Sequence, residues 1–403
     1  MSFNEWQILT LDDIADIIMG QSPSGDTCNN DGIGSPLLNG PTEFGEFYPT
    51  AVQFTTDPKK FSQEGDILFC VRGSTTGRMN WSNSKYAIGR GLAAFRHKLG
   101  LDYQHYLKGI IDLHLNDLLF QATGSTFPNV SSQQLKGLKV KVPNSQSQLL
   151  ISKILSSFNS KIENNLAANQ TLEEIARTLF KEWFVNFNYP NEDGKLKHSE
   201  FGEIPENWSI GSLSDIYKTT SGGTPSRSKA EYYENGTIGW IKSKELNNSF
   251  IIDTEEKITE DALKKSSAKL LPKYSVLIAM YGATVGEIGV TTKEFTCNQA
   301  ICSFLPNENY PFSFIYNFLL NSKQDIIGRA IGSAQQNISQ QLLLQYKLVI
   351  PPSELVQEYH RIVFPIFQKI QDNIEENESL RELRNNLLPK LMSGEVDLNV
   401  SNK

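Results

Sequence analysis

The chain contains one sequence pattern twice, and this repeat limits the possible folds more than any other feature. When residues 6–24 are moved by 202 positions, eight of these nineteen residues are identical to the residues that they meet at 208–226. A shift of 208 aligns residues 124–143 with 332–351 and continues without a gap through the apolar repeats that follow. A duplication of this length predicts two similar modules, each of about 200 residues, on one frame. Two modules in one chain can read two halves of one target.

Each half shows the same succession of predicted elements. A buried strand is followed by a glycine-bracketed loop, a second apolar strand, an amphipathic helix and a closing strand that ends at a proline. In chain order these elements lie at 66–71, 73–77, 91–95, 103–121 and 138–142, and again at 275–280, 282–286, 300–304, 312–327 and 346–350. The mixture predicts an α/β (α+β) fold with two repeated α/β domains.

A long helix follows the closing strand in each half. Side chains spaced alternately by four and three residues form a heptad seam of about five heptads in each helix. The seam residues are Ile151, Leu155, Phe158, Ile162, Asn165, Asn169, Leu172 and Leu179 in the first helix, and Val363, Ile366, Ile370, Asn373, Asn377, Leu380 and Leu387 in the second. Buried seam asparagines fix register, so we expect two long antiparallel coiled-coil helices related by a pseudo-twofold axis. Pro365 should kink the second helix near residues 361–365.

The repeat and the helices together predict the domain boundaries. The expected segments are a first α/β domain at 1–145, a central spacer helix at 146–186, a linker at 187–205, a second α/β domain at 206–352, a distal spacer helix at 353–393 and a C-terminal tail at 394–403. The linker is polar, contains prolines and glycines and shows no periodicity, which indicates an irregular connection. A helix of about 40 residues extends roughly 60 Å, so the frame would hold the two domains apart by the span of a split DNA site.

The charge distribution qualifies a net charge of −7, which by itself argues against nucleic acid as a partner. No acid lies between Asp66 and Asp102, and none lies at 262–286. The bases in these stretches are Arg72, Arg78, Lys85, Arg90, Arg96 and Lys98 in the first half, and Lys264, Lys265, Lys269 and Lys273 in the second. Because an acid-free stretch occurs in both halves, we favour a phosphate-facing surface over the alternative, a solvated basic edge.

Several classes of protein are disfavoured by what the sequence lacks. It contains no Walker A, HExxH or GxSxG motif, and the loose GxGxxA at 89–94 precedes a predicted strand rather than a helix. We therefore expect no catalytic residue and no metal site, and we interpret Asp66 as a solvated acid. No apolar run approaches the roughly 20 residues of a membrane span and no signal peptide is apparent, so we expect a cytoplasmic protein without membrane contact. The cysteines form no CxxC pair and are interpreted as free thiols in a reducing compartment: Cys28, Cys70, Cys297 and Cys302.

The loops of both halves combine Gly, Ser, Thr, Asn and Gln with basic residues, which suits contacts to phosphates and base edges. The candidate DNA-binding residues are Gln21, Ser22, Arg72, Ser74, Thr75, Arg78, Arg90, Thr126 and Asn129 in the first half, and Thr224, Ser226, Arg227, Lys242, Lys244, Tyr281, Thr284, Asn298, Gln299, Gln335, Gln336 and Asn337 in the second. We place a base-reading contact at Gln299, with Lys242 and Lys244 nearer to phosphate. In the alternative interpretation, Asn298 and Gln299 only hold the loop at 282–286, and each polar residue taken singly forms a turn.

In this order the motifs resemble the specificity (S) subunit of type I restriction–modification systems over essentially the full length. The resemblance rests on W-x-I-x-x-L-x-D-I at 6–14 and 208–216, PLLNGP at 36–41, GDILFCVRGS at 65–74, TLEEIARTLFKEWF at 171–184, GGTPS at 222–226, IGWIKSKEL at 238–246, NQA at 298–300 and GSAQQNIS at 332–339. It implies that each α/β domain is a target recognition domain and that the long helices are spacers. The first half departs most, with SPSGD at 22–26 and with Gly89 and Arg90 where the second half has Asn298 and Gln299.

The resemblance also implies partners and a division of labour. The chain would read a bipartite, asymmetric target in double-stranded DNA and position two methyltransferase (M) subunits and restriction (R) subunits on it. S-adenosylmethionine would lie on the M subunits, ATP and magnesium would act on the R subunits, and this chain would hold no cofactor. Two alternatives stay open at this point. One is a pseudo-symmetric protein–protein scaffold without sequence-specific DNA binding, and the other is a free-standing enzyme.

Overall fold

The computed structural model describes residues 6–121, 128–329 and 337–396. The chain divides into two compact units. The first unit contains Met1–Asn164 together with Asn377–Lys403, and the second contains Asn165–Glu376. Each unit therefore combines one α/β domain with part of both long helices, and the units of packing differ from the sequence repeats.

The first unit is built around a four-stranded antiparallel sheet whose central strand is apolar throughout and fully buried. The strands of the first unit are β1 (Gln7–Thr10), β2 (Ala15–Met19), β3 (Cys28–Asn29), β4 (Ser35–Leu38), β5 (Gln53–Thr55), β6 (Ile67–Cys70), β7 (Met79–Trp81), β8 (Ala87–Ile88), β9 (Leu92–His97) and β10 (Lys139–Val142). Its helices are α1 (Leu11–Ile14), α2 (Gln104–Leu113), α3 (Leu115–Gln121), α4 (Ser132–Gly137) and the N-terminal part of α5 (Ser145–Phe184). The main sheet has the order β2-β9-β6-β7, a second sheet has the order β3-β5-β4-β8, and β1 pairs with β10.

The second unit repeats this plan with more strands in its main sheet. Its strands are β11 (Leu196–Ser199), β12 (Gly202–Pro205), β13 (Ser209–Ser212), β14 (Thr219–Ser221), β15 (Ile238–Ile241), β16 (Ser249–Ile251), β17 (Lys257–Ile258), β18 (Val276–Ala279), β19 (Ile288–Thr291), β20 (Thr296–Cys297), β21 (Ile301–Phe304) and β22 (Lys347–Ile350). Its helices are α6 (Leu213–Ile216), α7 (Glu260–Lys265), α8 (Phe312–Arg329), α9 (Gln340–Leu344) and the N-terminal part of α10 (Ser353–Ser393). Short 3-10 turns of the two units lie at Gly25–Thr27, Pro41–Glu43, Leu101–Tyr103, Ala230–Tyr232 and Ser243–Glu245.

The strand order confirms the α/β fold and the repeat. The core strands β2-β9-β6-β7 of the first unit correspond to β14-β21-β18-β19 of the second, where β16 extends the sheet in parallel with β19. The parallel pair β4 and β8 corresponds to β15 and β20, and the pair β1 and β10 corresponds to β13 and β22. Mixed sheets with helices against them are what the alternation of apolar strands and amphipathic helices predicts.

Within the first unit, the two long helices run antiparallel and complete the core. Asn159 of α5 accepts a hydrogen bond from the Arg384 guanidinium of α10 at 2.8 Å. Ile151 and Leu155, which precede Asn159, share one buried cluster with Leu391 and Met392, which follow Arg384. Residue numbers thus rise along one helix as they fall along the other. Burial of these apolar side chains against the sheet stabilises the unit by roughly 25 cal/mol per Å² of apolar area.

The second unit contains the corresponding antiparallel pairing with a polar contact in its middle. The Asn373 amide donates to Asn169 Oδ1 at 2.7 Å, and Asn165 donates to the Glu376 carboxylate at 2.8 Å. Further along α5, the Ala176 carbonyl accepts a hydrogen bond from the buried hydroxyl of Tyr359. The asparagine pair is buried, and Asn165 and Asn377 are buried beside it in the same seam. Buried polar residues at seam positions fix register at a cost in stability.

Some local expectations differ from the structure. The segment predicted as an irregular linker contains the hairpin β11–β12, in which Lys197 donates to the main-chain oxygens of Glu206 and Trp208. The helix predicted at 103–121 is divided into α2 and α3, with His114 between them. Helix α10 is continuous through Pro365, and the kink expected near residues 361–365 stays a prediction. Cys70, Cys297 and Cys302 are buried free thiols and Cys28 is half-buried, and burial raises the pKa of Cys297 to about 11.

Candidate nucleic-acid interface

Three loops of the first unit meet at one end of the main sheet. They are the loop that follows β2 (20–24), the loop between β6 and β7 (71–78) and the turn between β8 and β9 (89–91). Main-chain hydrogen bonds join them: Gly20 N–H donates to Leu92 at 2.8 Å and Gln21 N–H donates to Ile88 at 2.9 Å. Val71 N–H donates to Gly91 at 2.9 Å. We call this arrangement the three-loop cluster.

The second unit contains the same cluster, built from the loop after β14 (222–226), the loop between β18 and β19 (280–287) and the turn between β20 and β21 (298–300). Gly223 N–H donates to Cys297 at 2.9 Å, and Met280 N–H donates to Ala300 at 2.8 Å. These bonds are the repeat equivalents of the bonds made by Gln21 and Val71. The glycine-bracketed loops that the sequence singles out are therefore parts of one backbone structure that occurs twice.

Close approach explains the glycine that opens the first loop of each cluster. A Cβ atom on Gly20 would lie 2.2 Å from the Gly89 carbonyl oxygen, and one on Gly222 would lie 2.2 Å from the Asn298 carbonyl oxygen. Neither distance is possible for real atoms. Gly73 and Gly282, which open the second loop, have φ of 95° and 87°, a region in which other residues are strained.

The exposed side chains of the first cluster include two arginines. Ser22, Arg72 and Arg90 come from its three loops and are all exposed. Ser22 Oγ accepts a hydrogen bond from Arg90 N–H at 3.2 Å. Within the described part of the chain, neither the Arg72 guanidinium nor the Arg90 guanidinium makes an ion pair or a hydrogen bond. Two uncompensated guanidinium groups on one rigid set of loops suit phosphate or guanine as a ligand.

The equivalent positions of the second cluster carry Thr224, Tyr281 and Gln299. The Thr224 hydroxyl donates to the Gln299 side-chain oxygen, and the Tyr281 hydroxyl donates to the Gln299 main-chain oxygen at 2.9 Å. Tyr281 and Gln299 are exposed and Thr224 is half-buried. The Gln299 amide is thus held in a set direction by its neighbours. Asn298 has a different role, because its side-chain oxygen accepts from Ala300 N–H within the turn itself.

The basic side chains beside the second cluster form ion pairs with carboxylates and are therefore not free to bind a ligand. Lys242 has a side chain only 16% exposed and lies 2.9 Å from Glu255 and 2.8 Å from Glu256. Lys244 lies 2.7 Å from Glu255, and Arg227 pairs with Glu256. The hydrogen bond from Arg227, followed by that from Lys242, lowers the pKa of Glu256 to about 2. The placement of Lys242 and Lys244 near phosphate stays a prediction, and their carboxylate partners weaken it.

The acid-free stretch of the first half does not form a single basic surface. Arg96 makes two hydrogen bonds of 2.8 Å to Asp66, which is fully buried and also accepts from Gln63 N–H. The interpretation of Asp66 as a solvated acid is therefore wrong, because a buried carboxylate is retained where a guanidinium neutralises it. Arg78 donates to the main-chain oxygens of Pro41 and Phe44 and so ties one loop to another.

The bases of the second acid-free stretch also have partners. Lys264 and Lys265 face Glu260 and Asp261 one turn earlier on α7, and Lys269 donates to the Thr220 hydroxyl at 2.9 Å. Sequence reasoning missed these pairs because the acids lie just outside the acid-free window. The phosphate-facing role of this stretch therefore has little support in the structure.

Sequence reasoning also missed a position at which the halves differ. Asn39 follows β4 as Lys242 follows β15. The residue before each is bound in the same way, since Gly89 N–H donates to the Leu38 carbonyl at 2.8 Å and Asn298 N–H donates to the Ile241 carbonyl at 2.9 Å. Asn39 donates to the Gln53 side-chain oxygen at 2.8 Å. The signal was the alignment of PLLNGP with IGWIKSKEL, which pairs an asparagine with a lysine.

The remaining candidate residues lie around the two clusters or outside the described residues. Ser74, Thr75, Asn129, Ser226 and Asn337 are exposed on loops, and Thr284 is half-buried. Arg227 stacks on two aromatic rings, with its guanidinium 4.4 Å from the Tyr233 centroid and 4.8 Å from the Trp240 centroid. The candidates outside the described residues are Thr126, Gln335 and Gln336.

Metal binding and membrane insertion are two further possibilities for the described ranges. These ranges contain no group of three or more His, Cys, Asp or Glu side chains arranged to hold a metal ion. No helix in them combines the length and the apolar character that crossing a membrane requires.

Comparison with protein families finds one match that covers most of the chain. The model of the type I restriction modification DNA specificity domain matches residues 4–174 and again residues 205–383. The two matches coincide with the two sequence repeats. Each match also extends from an α/β domain into the long helix that follows it.

Individual relatives are specificity subunits of type I restriction enzymes, in agreement with the family match. The chain is 31% identical over 280 residues to the type I restriction enzyme MjaIX specificity subunit of Methanocaldococcus jannaschii, a stretch that covers 68% of this chain and 64% of that protein. It is 26% identical over 342 residues to the HindI specificity subunit of Haemophilus influenzae, covering 69% of this chain and 73% of the relative. The match to the MjaIX subunit thus spans less than two thirds of that protein's length.

A solved structure shows the same fold. The S subunit of a type I restriction-modification system from M. genitalium superposes with a TM-score of 0.59 at 19% identity, over 96% of both chains.

Proposed function

The chain belongs to the type I restriction modification DNA specificity family, and from this we propose that it is the DNA sequence-recognition subunit of a type I restriction–modification complex. In this role it reads a bipartite, asymmetric target in duplex DNA, one half-site with each α/β domain. It carries out no methyl transfer and no cleavage itself.

One observation carries the proposal: the three-loop cluster keeps its backbone in both units and changes its side chains. The main-chain hydrogen bonds of Gln21 and Val71 recur at Gly223 and Met280. The residues at equivalent positions change from Ser22, Arg72 and Arg90 to Thr224, Tyr281 and Gln299. Two domains that bind different half-sites require a backbone that is the same in both units and exposed polar side chains that differ. The reason is that phosphate contacts position a protein on DNA, whereas base contacts specify the sequence.

The partners follow from the same proposal. Double-stranded DNA is the ligand, and M and R subunits assemble on this chain. S-adenosylmethionine is expected on the M subunits, and ATP and magnesium on the R subunits. Because the proposed ligand is DNA, a cytoplasmic location is part of the same proposal.

The test is selection of duplexes from a random pool by the purified full-length chain, followed by binding measurements across salt concentrations. We expect a two-part sequence with a fixed gap. The logarithm of the affinity should fall linearly with the logarithm of the salt concentration, because basic side chains that bind phosphates release counterions from DNA. An Arg72→Ala, Arg90→Ala double variant should reduce that slope by about 2.

A matched control distinguishes the alternative scaffold function. Lys59 is exposed in the same unit and pairs with Asp57 at 2.5 Å. Lys59→Ala should leave the slope unchanged. Recovery of no enriched sequence, with equal affinity for every duplex, would favour the protein–protein scaffold. Transfer of a labelled methyl group from S-adenosylmethionine to DNA by the chain alone would favour the free-standing enzyme.

A further inference from the structure

The turn between β8 and β9 is built around the side chain of Asn39. A Cβ atom on Gly89 would lie 2.5 Å from Asn39 Oδ1, and one on Gly91 would lie 2.3 Å from the Asn39 main-chain oxygen. Neither glycine has a positive φ. These glycines therefore provide space for Asn39 rather than an unusual backbone conformation. The sequence Gly89-Arg90-Gly91, which resembles part of a nucleotide-binding motif, is explained by this close approach.

Asn39 forms a side-chain pair with Gln53 on β5. Asn39 Nδ2 donates to Gln53 Oε1 at 2.8 Å. The bond leaves the Asn39 carbonyl oxygen, one N–H group of Asn39 and both N–H groups of Gln53 without a partner in the described part of the chain. If both amides were rotated by 180°, the bond would still form, and it would again leave one carbonyl acceptor on one residue and a free NH2 group on the other. The pair thus offers one acceptor beside one donor in either orientation.

An acceptor beside a donor is the pattern that matches one base in the major groove. Adenine presents the N6 amino donor beside the N7 acceptor, whereas guanine presents two acceptors, O6 and N7. Asn39 is exposed and lies against the turn that carries Arg90 at its tip. A ligand of the first three-loop cluster would therefore meet both the amide pair and the guanidinium.

We propose that the Asn39–Gln53 pair reads an adenine in the half-site of the first domain. This inference rests on the proposed function and adds a specificity-determining position to it. The free carbonyl accepts from the adenine N6 amino group, and the free amide donates to N7. The bond between the two side chains sets both groups before DNA binds, so less side-chain entropy is lost on binding.

The second unit offers different chemistry at the same place. Lys242 occupies the position of Asn39, and its ammonium group is held by Glu255 and Glu256 at 2.9 and 2.8 Å. The turn beside it carries Asn298, Gln299 and Ala300, with side chains where the first unit has two glycines. An adenine reader of the Asn39–Gln53 kind is thus confined to the first domain, and the two half-sites should differ at the corresponding position.

The experiment uses the full-length chain and duplex pools in which each position of the selected target is varied singly. The Asn39→Ala, Gln53→Ala double variant should lose preference for adenine at one position of one half-site, by roughly 5- to 150-fold. The other half-site should keep its profile.

Asn30→Ala is the matched control, since Asn30 is an exposed asparagine on another loop of the same unit. It should leave every preference unchanged. Equal weakening at all positions of the half-site, or loss of adenine preference in Asn30→Ala as well, would overturn the inference while leaving the proposed function intact. Failure of the native chain to select any sequence would instead overturn the proposed function, and the inference with it.

Discussion

At the scale of single residues, Gln299 is held from two sides. Thr224 fixes its side chain and Tyr281 fixes its main chain. We expect Gln299→Ala to relax one position of the second half-site by about 1–3 kcal/mol, with the first half-site unchanged, because one base contact is lost. Binding to every single-base variant of both half-sites measures this. Uniform weakening of the second half-site, together with a lower melting temperature, would instead indicate that Gln299 only supports the loops.

The opening glycine of the first cluster makes a prediction about stability. Gly20→Ala places a Cβ 2.2 Å from a backbone oxygen, so a loop has to move and the folded state should lose about 2–4 kcal/mol. Gly25→Ala, at the start of the 3-10 turn that follows this loop, meets nothing within 4 Å and should change stability by less than about 1 kcal/mol. Chemical denaturation of both variants compares them directly. Equal stabilities would show that the loop adapts freely.

Residues also mark the limit of sequence-based prediction here. The loops of both clusters were predictable, because glycines between apolar strands are a local signal. The pairing of Asp66 with Arg96 and that of Lys242 with Glu255 and Glu256 were not. These partners are separated along the chain and meet only through the sheet, so a charge pattern alone misassigns them to solvent or to DNA.

At the scale of elements, the buried Asn169–Asn373 pair in the helical seam makes a prediction about stability. Asn169→Ala should cost about 1–3 kcal/mol, because it leaves the buried Asn373 amide without its acceptor. Asn169→Leu with Asn373→Leu should be neutral or more stable, since an apolar seam replaces two polar groups. Thermal unfolding of the single and double variants measures both effects. A double variant less stable than Asn169→Ala would contradict this account.

Elements were predicted unevenly. Strong periodicity predicted the long helices, which lie at Ser145–Phe184 and Ser353–Ser393. The β11–β12 hairpin escaped prediction because its first strand, Leu196–Ser199, is exposed along most of its length and lacks an apolar alternation. Strand formation there depends on a tight turn and on Lys197 binding nearby carbonyls. Such contacts have no periodic signature.

At the scale of the whole molecule, buried histidines predict an acid limit to stability. Burial lowers the pKa values of His97 and His105 to about 4, below the ordinary value of 6.5. The unfolded chain therefore binds more protons between pH 6.5 and 4, and stability should fall as pH falls through this window. The expected loss is on the order of 2–3 kcal/mol per histidine. Denaturation at a series of pH values tests this, and a His97→Gln, His105→Gln variant should show a flatter profile, whereas an unchanged slope would assign the acid limit to other groups.

The division of the chain into packing units has a consequence for how specificities could be exchanged between related proteins. Ala176, Phe180 and Trp183 belong to the sequence of the first repeat but to the core of the second unit. A recombination that joins chains at the repeat boundary, near residue 187, would separate these side chains from the core that they complete. Crossovers at 164/165 and 376/377 would transplant each core intact. Chimeras with the HindI subunit should therefore be soluble and melt cooperatively with the second pair of junctions, and should aggregate with the first. The unit that related proteins could exchange would then be one folded core together with the two helix segments that complete it. After a gene duplication, the two halves of the sequence would have to diverge together, because each core contains helix residues from both halves.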